Sequence, residues 1–126
     1  MSGQSGQDSH GTVGTAARDA LEEAVHALPA WAESCGFEPV DAVTLATALA
    51  FVRAIPTGWA LPRVASDEDG CVLLGWPGAG ALSVTVDGGT LHVTARPGAS
   101  SGHLPPVAYG GGALPDAVCS LLPASS

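Results

Sequence analysis

Lysine is missing altogether. The only cationic side chains in 126 residues are Arg18, Arg53, Arg63 and Arg96, against twelve acidic ones. Binding DNA or RNA requires clustered cations that displace the counterions condensed on phosphates. Four scattered arginines form no basic stripe, so direct nucleic-acid contact is not expected, nor is attachment to an anionic membrane. Long apolar runs are missing too. The longest, Ala42 to Val52, contains Thr44 and Thr47 and stops at Arg53, short of the roughly 18 residues that a bilayer crossing needs. Residues 1–14 have neither the basic start nor the apolar core of a signal peptide. They are read as a flexible tail, and the expected location is cytoplasmic.

Paired cysteines are also lacking. Cys35, Cys71 and Cys119 are odd in number and widely spaced, unlike the dense, even set of a secreted disulfide framework. Cys71 and Cys119 read as small buried apolar residues, and Cys35 as a loop residue. What is present is 46% hydrophobic content, enough for one core in a single domain spanning residues 15–126. A net charge of −8 suits a basic protein surface, because complementary potentials speed encounter and fix register. The plainer role of such charge is to keep a small protein in solution.

The apolar periodicity changes midway along the chain. Ala17, Ala20, Leu21, Ala24, Val25 and Leu28 recur at helical spacing, predicting a first helix over Ala16–Leu28 with Thr15 as cap and Pro29 as stop. Arg18, Asp19, Glu22, Glu23 and His26 fall on the opposite side of that stripe. Trp31–Val40 reads as a connection. Asp41 is a good N-cap for a second helix, Ala42–Ile55, which Pro56 and Gly58 end. That helix is apolar nearly all round, so it is expected at the centre, covered by the first helix and a sheet.

From Val72 the spacing becomes two. Val72, Leu74 and Trp76, then Leu82, Val84 and Val86, then Leu91, Val93 and Ala95 alternate with small or polar residues, the pattern of strands with one buried face. Asp87-Gly88-Gly89 is a hairpin turn, and Pro77-Gly78-Ala79-Gly80 joins the earlier pair. A short strand at Arg63–Ala65 turns through Asp67-Glu68-Asp69-Gly70, and a last helix is predicted near Asp116–Leu122. The expected fold class is α+β: two N-terminal helices packed on one face of a three- to four-stranded antiparallel meander, with a short C-terminal helix.

Between Trp31 and about Val93 the chain carries Trp31, Gly36, Pro39-Val40, Phe51, Arg53-Ala54, Pro56, Leu61-Pro62 and the run Asp69-Gly70-Cys71-Val72-Leu73-Leu74-Gly75-Trp76. This pattern resembles a group of small uncharacterised bacterial proteins, with departures at Ala32 and Cys35, where that group has Asp and Tyr. The resemblance covers about half the chain. It implies an α+β fold with a strand meander and carries no activity with it.

No constellation of reactive residues stands out. His10, His26, His92 and His103 are far apart and no Cys-x-x-Cys exists, so no metal site is expected, although folding can bring His92 and His103 together. A calcium loop begun at Asp67 would reach Gly78 at its twelfth position, where a bidentate Glu is needed, so Asp67–Gly70 reads as a turn. Gly75–Gly80 is followed by no lysine to complete a phosphate cradle, and no cofactor is expected. A nucleophilic reading rests on Cys35 with His92 as base, and no activating motif accompanies them. Glu22 and Glu23 sit on an outer helix face, solvated.

Two surfaces are therefore candidates for partner binding. One is acidic: Asp19, Glu22 and Glu23, joined by Glu33 and Glu38. The other is the outer sheet face with Ser83, Thr85, His92 and Thr94, which can pack on a partner or on a second copy as a homodimer. Trp31 and Trp59, near helix ends, either plug the core edge or anchor an interface. The leading expectation is a non-enzymatic binding protein that offers carboxylates to a basic, nucleic-acid-binding surface, by analogy with small acidic antagonists in phage and bacterial conflict such as anti-CRISPR inhibitors. The alternatives are a small subunit or immunity-type partner bound through the sheet face, and an enzyme built on Cys35 and His92.

Overall fold

The computed structural model describes residues 9–76, 82–95 and 102–123. The expected Pro77–Gly80 connection lies outside them, as do Arg96 and the first eight residues. The chain runs α1 (Ser9–Cys35), α2 (Ala42–Ala54), β1 (Arg63–Ser66), β2 (Val72–Trp76), β3 (Leu82–Asp87), β4 (Thr90–Ala95), β5 (Gly102–His103), β6 (Val107–Ala108) and α3 (Asp116–Cys119).

Helix α1 is longer than predicted at both ends. It begins at Ser9, which leaves Thr15 inside it, and it passes through Pro29 to Cys35. Proline removes one backbone donor and crowds the preceding turn, at a cost of about 3 kcal/mol in a helix interior. Here the buried stripe continues past it: Leu21, Val25, Leu28 and Ala32 all face the core. The helix ends at Gly36, in the left-handed region with φ +75°. Gly36 N–H donates to the Glu33 carbonyl at 3.1 Å and Phe37 N–H to the Ala32 carbonyl at 2.9 Å. This bond pair is the Schellman motif, and the edge-to-face contact of Trp31 with Phe37, 5.6 Å between centroids, is the hydrophobic contact that accompanies it. The segment expected as a connection from Trp31 is thus helical as far as Cys35.

Helix α2 begins where predicted and ends one residue earlier, at Ala54. Asp41 accepts a 2.8 Å bond from Thr44 N–H, and that bond holds the Asp41 carboxyl below its ordinary range. Thr44 and Thr47 are buried among Ala48, Leu49, Phe51 and Val52, which requires partners for their hydroxyls. Thr47 Oγ1 donates to the Val43 carbonyl at 2.8 Å, and Thr44 Oγ1 accepts from Gly88 N–H at 2.9 Å. The second bond ties the start of α2 to the β3–β4 turn. Arg18, expected on the outer face of α1, is half-buried. Its guanidinium donates to the Val52 and Arg53 carbonyls at 2.9 and 3.3 Å, a cation at the negative end of α2.

The strands form one antiparallel sheet ordered β1-β2-β3-β4-β5, with β6 also on β4. The two extra strands are two-residue pieces in a Pro- and Gly-rich stretch, too short to show a period. Register sets Val72, Val86 and Leu91 in one row, Leu74, Val84 and Val93 in the next, and Trp76, Leu82 and Ala95 in a third. All nine are buried. Phe51 of α2 meets this layer between Trp76 and Tyr109, at 6.2 and 6.1 Å. Trp76 Nε1–H donates to the Ala60 carbonyl at 2.9 Å, so the indole is buried without an orphaned donor.

Helix α2 packs on β2 and β3, and α1 on both α2 and β1. The helices therefore share one layer, and α2 is not enclosed as its composition suggested: Ala42, Val43 and Ala46 are exposed. The terminal α3 is shorter than expected; Val118 and Leu122 are buried and Leu121 is half-buried.

Candidate partner-binding surface

In an antiparallel meander alternate turns fall at the same end, so the β1–β2 and β3–β4 turns are neighbours. Both are acidic. In the first, Asp67 Oδ1 accepts from Asp69 N–H at 3.0 Å and Cys71 N–H at 2.9 Å, the Asx turn that aspartate favours. Gly70 completes it at φ +85°, and a Cβ there would stand 2.7 Å from the Pro39 carbonyl oxygen. In the second, Gly88 and Gly89 link Asp87 to Thr90, which face each other across the hairpin. The connection between the helices arrives at the same end, where Glu38 N–H donates to the Glu68 carbonyl at 3.1 Å.

The result is an acidic pole made of Glu38, Asp41, Asp67, Glu68, Asp69 and Asp87. The Cys71 thiol at this end is pushed up to about 11, first by burial and then by the carboxylates of Asp67, Asp87, Asp69 and Asp41. Every arginine among the described residues lies toward the other end. Arg18 and Arg53 sit at the C-terminus of α2, about 20 Å from its N-terminus at 1.5 Å per residue. Arg63 opens β1, opposite Gly75, at the far end of that strand from the Asp67 turn.

The acidic residues singled out from sequence divide between the two ends. Glu38 belongs to the pole, and Glu33 is exposed near the end of α1, beside a hollow of about 480 Å³ that it lines with Pro29, Ala30, Phe37 and Pro39. Asp19 and Glu23 are exposed on α1. Glu22 is not a free outer-face carboxylate: its Oε1 pairs with Arg53 Nε at 3.0 Å across the helix–helix seam. Sequence reasoning treated Asp41, Asp67, Asp69 and Asp87 only as cap and turn formers. The parity of the meander was the signal that would have gathered them.

The outer sheet face is open among the described residues. On it Thr85 lies between Leu73 and His92, and Ser83 between Gly75 and Thr94. His92 and Ser83 are exposed, Thr85 and Thr94 half-buried. The backbone pairing sets His103 opposite Thr94, two residues along β4 from His92, yet no three ligating side chains gather around a metal position among the described residues. Cys35 closes α1, exposed, while His92 projects from the face of the sheet that the helices do not cover. The sheet separates the two, so they do not form the nucleophile–base pair considered from sequence.

A third feature went unnoticed in the sequence. Along the uncovered face of α2 two hollows follow one another on successive turns. The first, about 350 Å³, lies between Ala42, Val43, Ala46 and Thr47 on the helix and Gly89, Tyr109 and Gly110 opposite. The second, about 430 Å³, lies between Ala50, Arg53 and Ala54 and the loop residues Gly112 and Ala113. Tyr109 closes this loop on itself, its hydroxyl donating to the Gly112 carbonyl at 2.6 Å.

Among the described residues no helix is long and apolar enough to cross a membrane. No family model, no curated protein and no solved structure matches the chain.

Proposed function

We propose that this chain is a non-enzymatic protein-binding module that docks its acidic pole onto a basic surface of a partner, in the manner of an antagonist that occupies a nucleic-acid-binding site. The observation that supports this reading is a cluster of carboxylates with none of the described arginines beside it. Carboxylates from two turns, a helix cap and an inter-helix connection converge at one end, while the described arginines are held at the other and are partly spent on internal bonds. Clustered carboxylates of one sign steer a basic partner and raise its association rate, an effect that salt screens over about 10 Å at 0.1 M.

The test is capture of partners by the tagged full chain from its host's lysate, compared with a variant carrying Glu38→Gln, Glu68→Gln, Asp69→Asn and Asp87→Asn. The expected result is a basic nucleic-acid-binding protein retained at low salt, released at high salt, displaced by duplex DNA and bound about tenfold or more weakly by the variant. A partner held equally by both forms at high salt would sink the proposal. That outcome would favour the second reading, a constitutive small subunit or immunity-type partner bound through the open sheet face at Thr85, His92 and Thr94.

A further inference from the structure

We infer that the groove along α2 receives an extended apolar segment of the partner, with a basic residue of that segment held at the acidic pole; this rests on the function proposed above and names the chemistry of what binds there. The first hollow along α2 adjoins the pole. Asp41 immediately precedes Ala42 at the groove's first turn, and Asp87 leads into the Gly88-Gly89 turn whose second glycine lines the same end. At the opposite end stands Arg53, already paired with Glu22. Between these ends the walls are mostly alanine and glycine, with Val43, Thr47 and Tyr109, and Val43 is 60% exposed. A segment complementary to this gradient has a cation at one end, uncharged apolar residues through the middle, and a neutral or acidic other end.

The dimensions agree. Thirteen helical residues span about 20 Å at 1.5 Å each, the reach of about six residues of extended chain. Alanines along one helix face let a second backbone approach closely, and burying alternate leucines of the visitor would supply the apolar contribution.

The experiment is fluorescence anisotropy of the full chain with three labelled probes at low salt: Arg-Arg-(Ala-Leu)3, (Ala-Leu)3-Arg-Arg, and hexa-arginine. One of the two basic-apolar peptides is expected to bind about tenfold more tightly than hexa-arginine, the added affinity coming from buried leucine. Ala46→Trp, which fills the groove from an exposed helix position, removes that tenfold advantage and leaves hexa-arginine binding unchanged. Val43→Ser, a milder change, lowers it in the same selective way. If neither basic-apolar peptide exceeds hexa-arginine, or if Ala46→Trp and Val43→Ser leave the advantage intact, the groove is not the docking site, although the acidic reading stands. If hexa-arginine itself fails to bind, the acidic reading falls and this inference with it.

Discussion

Replacing Gly70 with alanine imposes two separate costs, and a second glycine lets them be measured apart. The first cost is conformational. Gly70 has φ +85°, and an L-residue held in the left-handed region loses roughly 1–2 kcal/mol. The second is steric: the new Cβ would stand 2.7 Å from the Pro39 carbonyl oxygen, a backbone atom that cannot rotate away. Relieving it means pushing the Asp67–Gly70 turn off the inter-helix connection, a displacement of the overpacking kind that costs about 1–3 kcal/mol. Gly88, at φ +60° with nothing within 4 Å of its notional Cβ, carries the first cost alone. Urea unfolding should therefore show Gly88→Ala losing about 1–2 kcal/mol and Gly70→Ala about 2–5 kcal/mol. The same displacement breaks the contact between Glu38 and Glu68, so Gly70→Ala should also weaken binding of a basic partner while Gly88→Ala does not. Equal losses for the two variants would refute the claim that the turn is seated against Pro39.

Three further outcomes follow from one buried and one half-buried group. Thr44→Val keeps the shape of a buried side chain but removes the acceptor of Gly88 N–H; it should cost about 1–2 kcal/mol by thermal or urea unfolding, with Thr44→Ser costing less, and an unchanged midpoint would remove the link between α2 and the β3–β4 turn. The Cys71 thiol, raised from 9.0 to about 11 in the fold, gives stability that is fully present below pH 9 and is lost as pH rises through 11, because the unfolded chain ionises first. Cys71→Ala should flatten that part of the stability profile relative to the unmodified chain. An alkylating reagent near pH 8 should label exposed Cys35 well before Cys71, and the reverse order would contradict the burial described.

How far the sequence could be read depended on whether a signal was local. The strands were legible because period two and the Asp87-Gly88-Gly89 turn each act over a few residues, and the Asp41 cap and Gly70 turn likewise. The end of α1 was misread because Pro29 is a strong local breaker, whereas continuation to Cys35 depends on burying Ala32 and on the Gly36 cap, with Trp31 clasping Phe37. Gly36 was visible in the sequence as an ordinary helix terminator, and it outweighed the proline. Arg18 and Glu22 were misplaced for a related reason. Their positions on a helical wheel are outward only until a second helix arrives beside them, and the sequence alone does not fix on which flank α2 packs. The groove along α2 was hidden by the same gap, since an all-apolar helix reads as enclosed when one of its faces is in fact open.

The acidic pole combines two kinds of carboxylate, and the difference bears on what the charge is for. Asp41 and Asp67 are explained by folding, since one caps α2 and the other closes a turn with two backbone bonds. Asparagine performs both tasks with no charge. Glu38, Glu68, Asp69 and Asp87 have no such bond from their side chains among the described residues, and like charges brought together at one end weaken the fold at low salt rather than support it. If solubility were the only demand, the same charges would serve as well spread along α1 or across the outer face of the sheet, where serine and threonine stand instead. The proposed binding role would account for carboxylates concentrated where the fold has no use for them, and it rests on the four unbonded ones, not on the cap and the turn former.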